Sequence, residues 1–531
     1  MLDVTQSRKM TATGSGTFLE SVERREPVMD AVLFWNNVGL EANRESHSNG
    51  KGEQTGPTLS SRALAIMHLA MFDAFVGAET AGPNVANLTP YLTMPAIAPP
   101  AANASIEAAI AAAAHATLSR LYPSQRAFFD LKHIEAGLAE PGLKAGHDYG
   151  LAVAQRILNA RKDDPPVGDE GYAASMARGA HRPDPDCPGQ GFHAPFYGAA
   201  SPLFAATMRH DLDSPPAVTT AAGEYRRALR QVRGKGVAPE LMGTVPQTSR
   251  RTVDETLIGI YWAYDGPVNL GTPPRLYNQI IRKVADEQGN TLASNAHLFA
   301  LVNAAMADAG ILAWEEKYKH DLWRPVVGIR EHDPSMGPAG IGGHNVDDTC
   351  DSGWLPLGAP RTNSATMEKN FTPPFPAYPS GHATFGAAAF HIARLFYQRP
   401  MNDRSRDDLF KDAAGNNLSF VSDELNGVSR DNKGTVRPKH VRTFPDGLWQ
   451  MIIENGLSRI YLGVHWVFDA YAEVNGNPDL NQKVGGIRLG LDIAEDIWAN
   501  GLQAANAAGP AETSAPVSRE AFISRKAWPL G

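Results

Sequence analysis

Lys317 with Arg324-Pro325, then Pro379-Ser380-Gly381-His382, then Ser458-Arg459 with His465 hold, in that order, the residue types from which an anion site is built. They supply three permanent cations, two imidazoles, a hydroxyl and a glycine amide. Lysine and arginine side chains donate hydrogen bonds and accept none, so three together suit a tetrahedral or trigonal-bipyramidal oxyanion. Pro379-Ser380-Gly381-His382 precedes an apolar run with Phe385, Ala389 and Ile392 at helical spacing. The start of such a helix points unpaired amides outward and carries partial positive charge, a natural seat for an anion. Ser380 can add its hydroxyl, Gly381 lets the backbone come close, and His382 then stands beside the anion for proton transfer. Asp469, four residues past His465, can either orient that ring or terminate a neighbouring network. Each segment alone has a plainer explanation: a solvated basic face shared with Lys319 and Arg330, a serine helix cap with an incidental histidine, or a satisfied core histidine at 465. The three together, at these internal spacings, argue for one site.

Bringing these groups together sets conditions on the fold. Lys317 and Arg324 are nearly two helical turns apart, which puts both on one face of a helix that Pro325 ends at Arg324. Arg459 and His465 would point roughly 120° apart on an ideal helix, so Gly463 or a local bend must make them converge. Helical periodicity dominates elsewhere. Leu64, Met67, Met71 and Phe75 follow a Ser60-Ser61 capping candidate, and Ile106, Ile110, Ala114, Leu118 and Leu121 run from Ser105 to Pro123. Leu151, Ala154 and Leu158, then Leu298, Leu301, Ala305 and Ala309, then Ile487, Leu491, Ala494 and Trp498 continue the pattern. The expectation is a mainly α fold of two packed helical bundles with long connecting loops. Residues 31–300 form the first bundle and 301–503 the second, which carries the anion site while the first buttresses it. Residues 1–30 are an N-terminal extension and 504–531 a poorly ordered tail. Pro-, Gly- and Asp-rich stretches at 163–198, 331–372 and 400–444 are long enough to do functional or oligomeric work. Gly337, Gly340, Gly342 and Gly343 lack the lysine and the strand–helix frame of a phosphate loop.

Composition narrows the classes. The 531 residues are 43% hydrophobic and 20% charged, as in a globular protein, and a net charge of -8 argues against a nucleic-acid or anionic-membrane surface. Two cysteines, Cys187 and Cys350, cannot make a disulfide framework or a thiolate cluster; a single Cys187–Cys350 bridge stays open, with two free thiols the favoured expectation. The first thirty residues hold no apolar core of a signal peptide, which leaves export to a non-conventional route. No stretch approaches 18 consecutive apolar residues; the best, Ala63 to Phe75, is broken by His68 and Asp73, so a soluble protein without a membrane segment is expected. Nothing in these patterns specifies an oligomer.

The three segments together resemble the vanadium-dependent haloperoxidase and acid phosphatase superfamily. Phe34-Trp35-Asn36-Asn37-Val38-Gly39-Leu40-Glu41, Gly56-Pro57 with Ser61-Arg62-Ala63-Leu64, Tyr261-Trp262-Ala263-Tyr264-Asp265-Gly266, Gly271-Thr272-Pro273-Pro274-Arg275 and Pro373-Pro374-Phe375-Pro376-Ala377-Tyr378 are similar to the fungal vanadium chloroperoxidases. The similarity runs from residue 31 to residue 502. Departures lie in loops, at 163–195, at 400–445 and after His465, and bear on the rim and on access. The resemblance implies vanadate and no haem, with His465 as the metal ligand. Lys317, Arg324 and Arg459 would neutralise the equatorial oxygens, Ser380 and Gly381 would add hydrogen bonds, and Asp265 would hold Arg459. His382 would act as acid–base and Lys317 would polarise a peroxide oxygen. The implied activity is oxidation of chloride and bromide by hydrogen peroxide to hypohalous acid, with a small organic acceptor or none. Trp314 and Phe375 match positions that are aromatic in the fungal chloroperoxidases and polar or basic in algal bromoperoxidases, and so bear on halide choice. The same residues would also serve an acid phosphatase, with His465 as nucleophile and His382 protonating the leaving group. A passive oxyanion store would not need His382 poised beside the anion.

Overall fold

The computed structural model describes residues 30–504 apart from 81–87, 94–95, 137–142, 219–222, 367–368 and 408. The expected N-terminal extension up to residue 29 and the tail from residue 505 lie outside the described residues. The described chain is mainly α. The first helices are α1 (Ala31–Ser46), α2 (Gly56–Thr80), α3 (Ile106–Leu121), α4 (Arg126–Glu135) and α5 (Leu143–Ala160). Then come α6 (Tyr197–Ala200), α7 (Glu224–Lys235), α8 (Val253–Tyr261), α9 (Pro273–Glu287) and α10 (Leu292–His320). The last are α11 (Pro325–Arg330), α12 (Gly381–Phe396), α13 (Gly447–Tyr461), α14 (Val467–Ala470) and α15 (Gly486–Asn500). Strand β1 (Leu418–Phe420) pairs antiparallel with β2 (Arg442–Phe444), and β3 (Ala472–Val474) with β4 (Asn477–Asp479).

One bundle packs α2, α3 and α5 together with α1, and the other packs α12 on α15, α13 and α9. The long helix α10 touches both, lying against α2 on one side and α12 and α15 on the other. The expected divide at 300/301 therefore falls inside a continuous helix, and one buried apolar cluster extends from Val32 to Leu502. Gly56–Glu79 and Leu292–His320 each hold an 18-residue window apolar enough on average, in a helix long enough, to cross a membrane, although polar residues interrupt both. Those windows are 89% and 94% buried within the fold, as central core helices are.

Several local expectations hold. Ser105 caps α3 by accepting from the Ala108 amide at 3.1 Å, and the helix ends before Pro123. Others need correction. Ser60 and Ser61 lie inside α2, which starts at Gly56-Pro57 because proline tolerates the first turn, where its missing N–H costs nothing. Leu151 is 39% exposed; α5 instead buries Gly146, Gly150, Val153, Ala154 and Ile157, the glycines letting its backbone rest on the Ser105 and Ala109 carbonyls. Lys317 and Arg324 do not share a helix. Asp321, left-handed at φ 50°, ends α10, and Arg324 is the N-cap of α11. No helix follows the glycines at 337–343 directly, and Cys187 and Cys350 are both free thiols.

The helix that carries His382 is set by a close crossing. On α15, a methyl at Gly486 would lie 2.4 Å from the Ser380 carbonyl, and one at Gly490 2.4 Å from the Thr384 carbonyl. Bare backbone there lets α15 fix the first turns of α12. Gly490→Ala should destabilise the protein by about 1–3 kcal/mol through overpacking. Gly189→Ala, which meets nothing within 4 Å, should leave the denaturation midpoint unchanged. Equal midpoints for the two variants would mean that the α12–α15 crossing is loose.

Candidate active site

All three predicted cations are buried and face one region. Lys317, in the last turn of α10, is fully buried, and its ammonium donates to the Pro376, Ala377 and Pro379 carbonyls at 2.9, 3.2 and 2.5 Å. Burial pushes its pKa well down, Arg324 and Arg459 add to that, and Asp469 opposes it. Three carbonyl acceptors require three N–H donors and so hold the proton in place. Arg324 donates through Nε to the Phe375 carbonyl and through Nη1 to the Val464 carbonyl, each at 2.8 Å. Burial draws it down to about 9, with Asp469 opposing, which leaves it charged at neutral pH. Arg459 makes a two-pronged ion pair with Asp265, Nη1 to Oδ2 at 2.9 Å and Nη2 to Oδ1 at 2.7 Å, as the resemblance implied. Two buried donors, Arg324 Nη2 and Arg459 Nε, have no partner among the described residues.

Ser380 is the N-cap of α12, its Oγ 3.5 Å from the Ala383 amide it accepts from. The cap and the anion seat are thus compatible, since an accepting hydroxyl still has a proton to donate. Behind it, the Ser380 amide donates to the Asp469 carbonyl at 2.8 Å. Gly381 opens the helix, and its amide belongs to the first turn, which has no intrahelical acceptor. A methyl there would lie 3.4 Å from Trp314 and 3.9 Å from the Lys317 stem, and Gly381 lines a cavity.

The two imidazoles have defined tautomers. His382 Nε2 lies 2.7 Å from the Ala263 carbonyl, which can only accept, so Nε2 carries the proton and Nδ1 is the basic nitrogen. Burial, reinforced by Arg459, lowers its pKa to about 3 against the opposing pull of Asp265 and Ala263. His465 donates from Nδ1 to Asp469 Oδ2 at 2.8 Å, leaving Nε2 unprotonated, and that nitrogen accepts from Arg324 Nη1 at 2.8 Å. Burial and then the charges of Arg324, Lys317 and Arg459 push its pKa well below 6.5, so it is neutral. Asp469, raised by burial to about 7, also accepts from the Trp466 amide at 2.9 Å. The bend needed to bring His465 round is present: α13 stops at Tyr461, and Gly463 turns the chain at φ 74° against the bare backbone of Gly236.

A cavity of about 220 Å³ opens onto Gly381, His382, Arg459 and His465. Trp314 and Phe375 form one wall with ring centroids 4.8 Å apart. The Lys317 ammonium lies 5.0 Å and the Arg324 guanidinium 4.8 Å from the Phe375 centroid. The first half of the chain does more than buttress: His47, Gly56, His193, Tyr264, Asp265 and Thr272 line the same cavity. Sequence reasoning named Asp265 but not His47, His193 or Tyr264 as site residues. Their signal was partly on hand, because Gly56-Pro57 and Tyr264-Asp265-Gly266 belong to the resembling segments. His193 had no such flag, since its neighbours in sequence are loop.

The arrangement can bind an oxyanion by guanidinium, hydroxyl and backbone amide donors in the field of the Lys317 ammonium, offer it an unprotonated imidazole nitrogen in exchange for the Arg324 Nη1 contact, and place a second base beside it. Asp265→Ala would leave the Arg459 charge buried and unpaired, a loss of about 3–5 kcal/mol in stability. Added orthophosphate, by giving the guanidinium a new partner, should restore part of the denaturation midpoint. An unchanged midpoint in the variant would show that the pair does not anchor Arg459.

Residues 23–190 match the vanadium chloroperoxidase N-terminal domain, and residues 297–484 match the second helical-bundle domain of that family. The chain is 35% identical over 574 aligned residues to the vanadium chloroperoxidase of Curvularia inaequalis, covering 89% of this chain and 90% of that protein. Two solved structures share the fold. A bacterial vanadium-dependent iodoperoxidase is 20% identical at a TM-score of 0.57, over 88% of this chain and 95% of its own. An apo bacterial vanadium-dependent chloroperoxidase is 16% identical at a TM-score of 0.53, over 84% of this chain and 95% of its own. With both domains matched in order and the curated similarity spanning nearly the whole chain, the protein belongs to the vanadium haloperoxidase family.

Proposed function

We propose that the chain is a vanadate-dependent haloperoxidase that oxidises chloride as well as bromide with hydrogen peroxide, releasing hypohalous acid. The observation that carries this reading is the pair of buried, unpartnered donors, Arg324 Nη2 and Arg459 Nε, together with the unprotonated Nε2 of His465, whose present partner is Arg324 Nη1. Buried N–H groups without acceptors are costly, and a tetraoxo anion satisfies them while taking a nitrogen ligand from His465. Lys317, Arg324, Arg459, Ser380 and Gly381 would hold vanadate, and His465 Nε2 would ligate the metal, with Asp469 fixing the ring tautomer. Bound vanadate would supply Lewis-acid activation of peroxide with no change in its own oxidation state.

The chain's own residues supply the rest. His382, neutral and unprotonated at Nδ1, accepts a proton from the incoming peroxide and returns it as the halide is oxidised. Halide, hydrogen peroxide and one proton from solvent give hypohalous acid and water. The proton that His382 takes from peroxide and returns is one of the peroxide's own two hydrogens and is separate from the solvent proton. The Lys317 ammonium, fixed by three carbonyls, stabilises negative charge as it develops on oxygen. Trp314 and Phe375 exclude water from one side, which strengthens that interaction. Chloride holds its electrons more tightly than bromide and needs such activation.

His465→Ala should lose vanadate on dialysis while retaining weak anion binding through the cations. His382→Ala should retain vanadate but turn over about 10²–10⁴-fold more slowly. Metal analysis and steady-state rates on both variants check this; full activity of dialysed His465→Ala would refute the ligand assignment. Halide range is read separately. Wild-type protein loaded with vanadate should oxidise chloride and bromide at mildly acidic pH. Bromide turnover without chloride turnover, from mildly acidic to neutral pH, would exclude the chloride assignment. Hydrolysis of phosphate esters without vanadate or peroxide would point instead to a phosphohistidine at His465.

A further inference from the structure

Four imidazoles line the cavity, and three are already committed. His382 donates from Nε2 to Ala263 and keeps Nδ1 as a base, and His465 is spoken for by Asp469 and Arg324. His47 donates from Nδ1 to the Asn43 carbonyl at 2.8 Å and accepts the Gly56 amide at Nε2 at 3.2 Å. The wall hydroxyls are engaged as well, Tyr264 with Gln279 and Thr272 with Asn43. His193 differs. Its Nε2 lies 3.2 Å from the Thr58 hydroxyl, and its Nδ1 has no partner among the described residues. Thr58 is fully buried, and its hydroxyl has no other acceptor among the described residues, so it donates to Nε2. The ring proton is then on Nδ1, and His193 presents a free N–H donor.

The ring is also held in place. The His193 amide donates to the Pro374 carbonyl at 2.8 Å, and its carbonyl accepts from the Trp314 indole at 3.2 Å and the Tyr318 hydroxyl at 2.7 Å. Its ring and that of Trp314 stand nearly perpendicular with centroids 5.7 Å apart, and Phe375 lies 6.1 Å away. On the remaining side is Gly56, where a methyl would come within 2.5 Å of Cε1. A donor so fixed on an aromatic wall suits one kind of ligand. An anion entering this wall loses water and needs N–H groups in return. A single N–H and the positive edges of aromatic rings serve a monatomic anion well and a many-oxygen anion poorly. Lys317 and Arg324, close to the Phe375 ring, add a positive field.

We infer that His193 is a halide-binding residue, whose Nδ1–H and the Trp314–Phe375 wall form a subsite distinct from the oxyanion cradle. The inference rests on the haloperoxidase reading for its biological meaning, but the anion subsite is testable without vanadium. Chloride-35 NMR line broadening on vanadium-free protein should titrate with bromide as competitor. It should vanish in His193→Phe, which keeps the ring volume, and survive in part in His193→Gln, which keeps an N–H. In vanadate-loaded protein, His193→Phe should raise the halide KM about ten- to hundredfold, the effect of one hydrogen bond to a charged partner. Peroxide KM and retained vanadium should stay at wild-type values. Unchanged chloride broadening and halide KM in His193→Phe would overturn the assignment. So would an equal loss of halide binding, peroxide binding and thermal stability in both variants, which would reduce His193 to wall packing. If loaded wild-type protein oxidises no halide while chloride broadening still depends on His193, the subsite stands and the haloperoxidase reading falls.

Discussion

Three permanent positive charges buried around one small space are the constraint on which the rest of this structure depends. Removing a single ion from water costs several kcal/mol even after relaxation, and like charges raise that cost. Lys317, Arg324 and Arg459 are each at most 1% exposed. The fold offsets the cost unevenly. Lys317 is saturated by carbonyls, Arg459 is neutralised by Asp265, and Arg324 leans on two carbonyls, one imidazole nitrogen and the field of Asp469. What remains unsatisfied, the Nη2 amino group of Arg324 and the Nε–H of Arg459, is the part a bound oxyanion would complete. Burial, reinforced by the same field, keeps His382 and His465 neutral, which is the state in which one can accept a proton and the other can donate a lone pair to a metal.

Holding these charges requires rigid backbone from several directions, and the helical architecture provides it. Lys317 comes from the end of α10, Arg324 from the cap of α11, His382 from the start of α12, and Arg459 from the end of α13. The site is thus a meeting of helix termini, where unpaired backbone groups are available by construction. Glycines set the distances. Gly486 and Gly490 let α15 press on α12, and Gly463 turns the chain from Arg459 towards His465. Asp469 links two of these pieces, orienting His465 with its carboxylate and holding the Ser380 amide with its carbonyl.

Much of this was legible in the sequence because it was local. The apolar spacing of α3 and α15, the serine cap before Gly381 and the need for a bend at Gly463 each depend on a few neighbouring residues. The Lys317–Arg324 relation was misread because spacing alone favoured one helix. The left-handed Asp321 divides the segment, and the two side chains converge from different elements. Leu151 was misplaced because periodicity marks apolar residues, whereas α5 is buried through its glycines, which carry no hydrophobic signal. The cavity wall was the least legible. His47 and His193, the latter held by Thr58, reach it only through the packing of α1, α2 and the loop before α6 against α10, and no short motif encodes such long-range contacts.

The central claim is that the stranded donors of Arg324 and Arg459, with His465, define a single oxyanion site. Calorimetric titration of vanadium-free protein with orthovanadate, repeated with orthophosphate as competitor, tests it most directly. The expected result is saturation at one vanadate per chain, displacement by phosphate and a raised thermal midpoint for the bound form. Absence of saturable binding, or several equivalent weak sites that survive replacement of Arg324 and Arg459, would contradict it.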